Sequence, residues 1–305
     1  MTSPAPVRIE IGEAGTRSVA LLGTGLIEKA ADHLESESGR FFLVFSEGAG
    51  PAALQVGAAL AGRVAADIAV EDTEGAKSLA GAAMICDAAL SAGLRRDDAL
   101  VAVGGGVVTD MAGFAAAILL RGVAWNAIPT TTAAMADAAI GGKTGVNHPR
   151  GKNLIGAFHP PRRILIDPGA ARGLSDRDWR AGLVEAFKTV WVTDADASAR
   201  ARVRISGLLE RDESALLPLL IDSVAAKAQI VSSDPREGDR RRLLNFGHTL
   251  GHAFEAASGP GALRHGEAVA WGIAAALWLS RRRAGLTRDA ETQALETLAA
   301  LGPFP

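Results

Sequence analysis

The period of the hydrophobic pattern changes once along this chain, near residue 172, and that change limits the fold more than any other feature. Before it, short β-like runs alternate with helical patterns. Strands are expected at 41–45, 66–70, 99–103, 123–128 and 164–166. Helices are expected at 51–62, 74–93 and 107–119. Strands alternating with helices predict a mostly parallel sheet flanked by helices. After it the β-like runs stop. Segments 179–192, 216–231, 243–257 and 267–284 carry helical periodicity. The fold class expected is therefore α/β plus all-α, with a Rossmann-like domain over 1–172 and a helical domain over 173–305.

Composition narrows the function classes. A chain of 305 residues exceeds one small core, and two domains are the natural division. A formal charge of −2 gives no bulk reason to bind nucleic acid or a membrane. The only tight basic clusters are Arg240-Arg241-Arg242 and Arg281-Arg282-Arg283, the second read as a solvated helix face. The single cysteine, Cys86, forms no internal disulfide, fits a reducing compartment, and is expected as a small core residue. Residues 1–25 show no basic stretch followed by a long apolar run, so a cytoplasmic location is expected. The longest apolar run, 268–279, is too short to span a bilayer and reads as a buried helix.

Polar chemistry collects at two places in the first half. The expected strand 99–103 runs into Gly104-Gly105-Gly106 and then a helix. Glycines allow close backbone approach, and a helix N-terminus offers free N–H groups to an anion such as a pyrophosphate. The spacing is not the two-glycine dinucleotide fingerprint. A tight turn without a ligand reads equally well, and Asp110 has a second reading as a first-turn dipole partner. Next, Thr130 and Thr131 follow a strand, then come Asp137, Lys143, Lys152 and Asn153. Gly142-Lys143-Thr144 resembles the tail of a Walker A loop, but no glycine stands where the first glycine of that loop belongs. The lysines suit an anionic substrate, or simply a solvated polar loop.

Three of the six histidines fall between 248 and 265. His248 and His252 share a helix face at i, i+4, and His265 opens the next helix. This makes either a divalent-metal site or a pair of packing histidines. Upstream, Glu185 and Lys188 lie at i, i+3 among apolar residues, where a buried charge needs a partner or a metal. Glu185 is thus a candidate carboxylate for a His2Glu site with an open position. Lys227, Glu237, Arg241 and Asn245 lead into the histidine helix, with Arg241 and Asn245 read as i, i+4 neighbours.

Eight blocks in order resemble the 3-dehydroquinate synthase family of sugar-phosphate cyclases. They are GGGVVTDMAGF (104–114), LRG (120–122), IPTT (128–131), GGKTGVNHPRGKNLIGAFHPP (141–161), RAGLVEAFK (180–188), KAQIVSSDPREGDRR (227–241), LNFGHTLGHAFE (244–255) and HGEAVAWG (265–272). The resemblance implies an NAD-binding α/β domain followed by a helical metal domain, working as a homodimer. It implies Zn2+, or Co2+, held by Glu185, His248 and His265, with His252 as a nearby proton-transfer residue rather than a ligand. Asp137, Lys143, Asn153, Lys188, Lys227, Arg241 and Asn245 match family active-site positions. Arg121 matches an arginine that reaches across the dimer to the substrate phosphate. Glu74, Lys77, Gly104, Gly105, Gly106, Asp110, Thr130 and Thr131 match NAD contacts, with Lys143 and Lys152 assigned to the cofactor as well.

The implied reaction converts a phosphorylated keto-acid sugar to a carbocycle, with transient oxidation by NAD+, β-elimination of phosphate, reduction and an intramolecular aldol closure. Three positions depart from the family pattern. No lysine follows Lys227, where the family carries a phosphate-contacting lysine in a longer C-terminal region; Arg281, Arg282 and Arg283 are the cations available. Gly173 stands at a threonine position, and Ser46-Glu47-Gly48 does not match the family's N-terminal nucleotide motif. Competing readings are an amino-dehydroquinate or sedoheptulose-phosphate cyclase, a metal-dependent polyol dehydrogenase, and a non-catalytic paralogue. Lys227, Arg241 and Asn245 keep the carboxylate-type pattern and favour the keto acid.

Overall fold

A computed structural model of the chain describes residues 4–13, 17–259 and 261–305. The chain separates into two compact units, Met1–Arg172 and Gly173–Pro305.

The first unit is built on a seven-stranded sheet. Its elements are β1 (Val7–Ile11), β2 (Ser18–Leu22), α1 (Ala30–His33), β3 (Phe41–Ser46), α2 (Gly50–Leu60), β4 (Val64–Val70), α3 (Leu79–Ser91), β5 (Ala99–Gly104), α4 (Gly106–Ile118), β6 (Ala124–Pro129), β7 (Lys143–His148), β8 (Gly151–Phe158) and β9 (Arg163–Ile166). The strand order is β1-β2-β9-β6-β5-β3-β4, and only edge strand β1 runs antiparallel. Central strand β5 reads ALVAVG and is buried along its whole length, as a strand covered on both faces must be. Phe41, Val56, Leu60, Val101, Ile128 and Leu165 pack one side of it. Strand order reverses between β3 and β5, so their carboxyl ends open the crevice where α/β sheets bind ligands.

Several expectations are corrected here. β1 and β2 lie in a stretch without a clear alternating pattern. The polar segment read as a loop forms the β7–β8 hairpin, because small residues at Gly145 and Gly156 let the two backbones close. The helix expected over 74–93 starts only at Leu79, where the Ser78 hydroxyl accepts from the Gly81 N–H and caps it. Cys86 is half-buried rather than a core residue, and burial pushes its thiol pKa up.

The second unit is helical: α5 (Asp176–Thr193), α6 (Ala195–Arg202), α7 (Ile205–Leu209), α8 (Glu213–Ser233), α9 (His248–Ser258), α10 (His265–Arg283) and α11 (Arg288–Leu301). Helices α6, α7 and α11 lie outside the helical segments expected from the sequence. α5 is nearly all buried from Ala181 to Val190 and packs against α8 and α10. The apolar run in α10 is not wholly buried, since Trp271 is 47% and Trp278 53% exposed. The long helix expected from 243 begins at His248. Arg240–Asn245 forms a tighter 3-10 segment instead, so Arg241 and Asn245 are not neighbours on one α-helical face.

Candidate functional site

The first unit assembles its polar residues around Lys77. Its Nζ donates to Asp110 Oδ2 at 2.6 Å and to Asn153 Oδ1 at 2.6 Å, although Asn153 is distant in sequence. Lys77 is buried and Asp110 mostly so. Burial pushes the Asp110 carboxyl above its usual range; Lys77 opposes this, while the Asp137 and Glu74 charges add to it. Asp137 sits in one turn of π-helix (Ala134–Ala138). Asn147, not singled out in the sequence, ties the hairpin to this cluster. It donates to Glu74 Oε2 at 2.7 Å and accepts from the Asn153 N–H at 2.9 Å. Asparagine in a Gly- and Lys-rich run gave no signal of its own.

Gly104, Gly105 and Gly106 turn from β5 into α4, at the crevice. A Cβ on Gly105 would lie 3.2 Å from Asp72 Oδ2 and 3.2 Å from the Thr131 methyl. A side chain has little room there, and the turn leads directly into the N-terminus of α4, whose first N–H groups are the kind that meet an anion. Thr130 follows β6, and its N–H donates to the Gly104 carbonyl at 2.9 Å. Thr131 Oγ1 accepts from the Ala134 N–H at 3.1 Å. Lys143 and Lys152 sit exposed on β7 and β8. Arg121 is not brought to this cluster. It is exposed beyond the opposite end of α4, a 13-residue helix. At ~1.5 Å per residue that places it about 20 Å from the glycine turn.

The second unit brings Glu185, Lys188 and the three histidines together. Lys188 Nζ donates to Glu185 Oε2 at 2.5 Å, with both side chains almost fully buried. Glu185 Oε1 lies 3.6 Å from His265 Nε2, which lies 3.3 Å from His248 Nε2. Ligand atoms of His248, His252 and His265 all fall within 4.8 Å of one another. The partners of the other ring nitrogens fix the protons. His248 Nδ1 faces the Phe246 carbonyl at 3.3 Å, and a carbonyl only accepts, so Nδ1 carries the hydrogen. His265 Nδ1 faces Glu255 Oε2 at 3.1 Å. In the neutral rings both Nε2 lone pairs therefore point at one spot beside a carboxylate oxygen. Two ligands about 2.0–2.1 Å from one tetrahedral ion sit about 3.4 Å apart, so the donor set fits zinc or cobalt. Burial opposes charging of His265, but Glu255 and Glu185 outweigh it and raise its pKa.

Packing sets this geometry. His265 is the first residue of α10, whose N-terminus is held by Glu267. Its carboxylate accepts from the Arg264 N–H at 2.7 Å and from the Arg177 guanidinium at 2.5 and 2.7 Å. A Cβ on Gly272 would come within 1.9 Å of the Gly247 carbonyl oxygen, so α10 lies directly on the start of α9.

The anion-binding candidates lie on α8 and on the 3-10 segment that precedes α9. Lys227 is buried on α8, and Arg241 is buried with Nη1 donating to the Pro235 carbonyl at 3.0 Å. Asn245 Nδ2 donates to Glu237 Oε1 at 3.1 Å. Asn245 also lines a cavity of about 640 Å³ with Arg236, Glu237, Arg242 and Thr249. Arg281 and Arg282 are engaged elsewhere, with Glu291 at 2.6 Å and over the Trp278 ring at 3.9 Å. In this arrangement neither is presented as a phosphate-binding cation.

Comparison with known proteins agrees with the sequence resemblance. A curated 3-dehydroquinate synthase from Solibacter usitatus (strain Ellin6076) is 40% identical over 94% of this chain and 80% of its own length. One from Geobacter metallireducens is 46% identical over 73% of this chain but only 62% of its own. Among solved structures, a 2-deoxy-scyllo-inosose synthase complexed with carbaglucose-6-phosphate, NAD+ and Co2+ superposes with a TM-score of 0.86 at 26% identity, covering 98% of this chain and 84% of that one. The 2-epi-5-epi-valiolone synthase ValA from Streptomyces hygroscopicus subsp. jinggangensis 5008, with NAD+ and Zn2+ bound, superposes at 0.85 with 32% identity, covering 92% and 79%. The family model described as 3-dehydroquinate synthase N-terminal matches residues 67–181, and the C-terminal one matches 182–303. Two consecutive models thus account for most of its length, and the chain belongs to the 3-dehydroquinate synthase family.

Proposed function

We propose that this chain is a carbon–oxygen lyase that converts 3-deoxy-D-arabino-heptulosonate 7-phosphate to 3-dehydroquinate and phosphate. The observation that carries the reading is the meeting of the His248 and His265 Nε2 atoms, 3.3 Å apart, beside buried Glu185. Identity to the curated synthases supports the substrate assignment.

The bound cofactor would be NAD+, which supplies reversible hydride acceptance and is not consumed. Glu185, His248 and His265 would hold Zn2+ or Co2+, which supplies Lewis-acid polarisation of the substrate oxygens. In the first unit, the bare backbone at Gly104, Gly105 and Gly106 admits the pyrophosphate to the N-terminus of α4. Glu74, Lys77, Asp110, Thr130, Thr131 and Lys152 orient the rest of the dinucleotide, and Asp137, Lys143 and Asn153 orient the substrate. In the second unit, Lys188, Lys227, Arg241 and Asn245 hold the carboxylate and phosphate, so positioning supplies much of the rate. His252, within ring contact of both other histidines, moves a proton at the reacting oxygen. Arg121 serves the substrate phosphate of a second copy in a homodimer; its place beyond the far end of α4 supports this. The half-buried Cys86 thiol suits a reducing, cytoplasmic setting.

The test is phosphate release from this substrate with Zn2+ or Co2+ and catalytic NAD+, following NADH throughout. Metal-dependent release without net NADH is expected. Stoichiometric NADH accumulation would replace the reading with a polyol dehydrogenase. Release only from a sugar phosphate without a carboxylate would favour the second reading, a cyclase of the kind its structural neighbours represent.

A further inference from the structure

The structure assigns Glu255 as the positioning residue that sets the proton and the orientation of His265 for metal binding. This rests on the metal reading of the histidine cluster. Glu255 is not among the three residues proposed to touch the ion, and its carboxylate is only 12% exposed.

His248, His252 and Glu255 stand at i, i+4 and i+7, so one face of α9 carries all three. α10 delivers His265 to that face from the opposite side, as its first residue. Glu255 Oε2 sits 3.1 Å from Nδ1 of His265, while Nε2 of the same ring faces His248 Nε2 and Glu185 Oε1. A carboxylate accepts and does not donate, so it draws the ring hydrogen to Nδ1. Nε2 is then left bare on the side of the other ligands. A carboxylate behind an imidazole also raises its basicity as a ligand.

The two proposed histidine ligands are not held alike. His248 is oriented by a neutral carbonyl two residues before it, at 3.3 Å. His265 is oriented by a charged side chain from another helix, at a shorter distance. His265 is also half-exposed, with a 44% exposed side chain, and needs an external hold more than the residues packed around Glu185. Charge counts as well. Lys188 offsets Glu185 within the buried pair, so the Glu255 charge adds to the attraction for a divalent cation.

The experiment measures Zn2+ and Co2+ affinity of the full chain by chelator competition, together with the visible absorption of the Co2+ form. The parent is compared with Glu255→Ala and Glu255→Gln. Loss of an outer carboxylate typically weakens metal affinity about 10–100-fold. That loss is expected for Glu255→Ala, with a changed Co2+ spectrum. Glu255→Gln keeps an acceptor oxygen without the charge and is expected in between. Affinities and spectra equal to the parent would overturn the assignment while leaving the metal site in place. A drop in the melting temperature of the metal-free protein with unchanged affinity would do the same, making Glu255 an ion-pair partner only. Failure of the folded parent to bind either metal would overturn the assignment together with the reading beneath it.

Discussion

The glycine turn of the first unit and the histidine cluster of the second are built by opposite means. At Gly104–Gly106 the candidate surface is backbone, packed closely by its neighbours because side chains are left out. Its charged neighbours already satisfy one another, since Lys77 bonds both Asp110 and Asn153. At the histidine cluster the working surface is side-chain lone pairs, and each is aimed by a partner behind it. Glycine serves both regions differently. A Cβ at Gly105 would meet side-chain atoms of Asp72 and Thr131 at 3.2 Å, whereas one at Gly272 would meet the backbone at the start of α9. A bare-backbone site depends on what is absent, and a side-chain site depends on what stands behind it.

The largest difference is expected from removing one member of each buried ion pair. Glu185→Leu removes the carboxylate paired with Lys188, which is 1% exposed, and breaking such a pair costs about 3–5 kcal/mol. Denaturant unfolding should show that loss, and elemental analysis should find no bound metal. Asp110→Asn is expected to cost about 1 kcal/mol or less, because Lys77 keeps Asn153 and a neutral amide replaces a carboxyl disfavoured by burial. Equal losses at the two positions would break the contrast.

Alanine at the two glycines comes next. Gly272→Ala forces a methyl into the Gly247 carbonyl and should cost about 3 kcal/mol, the upper end for overpacking. Gly105→Ala meets only atoms at 3.2 Å and should cost about 1 kcal/mol, at the lower end of that range. Its effect should appear instead as an NAD affinity weakened at least ~10-fold by calorimetry, equivalent to about 1.4 kcal/mol. Unchanged NAD binding would remove the turn from the cofactor site.

The smallest effects separate the units by pH. Backbone N–H groups of Asp239, Arg241 and Gly238 hold the Asp234 carboxyl down to about 2. A lowered pKa contributes stability that is present above the unfolded value of about 3.9 and lost as pH falls toward 2. Asp110 is raised, so its contribution is full below about 3.9 and is lost as pH rises through its folded value. The titration midpoints read from carboxyl carbon shifts by NMR should therefore depart in opposite directions from the unfolded value. Asp234→Asn should remove part of the acid sensitivity around Arg241. Two carboxyls titrating together would contradict both environments.

How much was legible depended on how local the signal was. The five strands expected in the first unit are present, because short apolar runs bounded by turn residues mark them, from covered β5 to edge strand β4. Hairpin β7–β8 was not legible, since its outward residues are Lys, Asn and Leu154, the last 61% exposed, and no alternation shows. The His248–His252 spacing declared a shared helix face. The 3-10 segment before it did not, because Arg240–Asn245 reads as good helix while Asp234 captures the N–H groups of Gly238, Asp239 and Arg241. Asn147 and Glu255 escaped notice because each acts through a partner that is remote in the chain.

The sequence by itself determined the change from alternating strands and helices to helices alone, the glycine turn, and which residues are candidates for metal- and anion-binding chemistry. These follow from local periodicity and residue type, which a short window of chain already contains. Only the tertiary structure decided that Lys77 meets Asn153, that His265 faces Glu185 and His248, and that Glu255 stands behind His265. Those distances are set by how closely helices and strands pack, and close packing is a property of the whole core rather than of any segment within it.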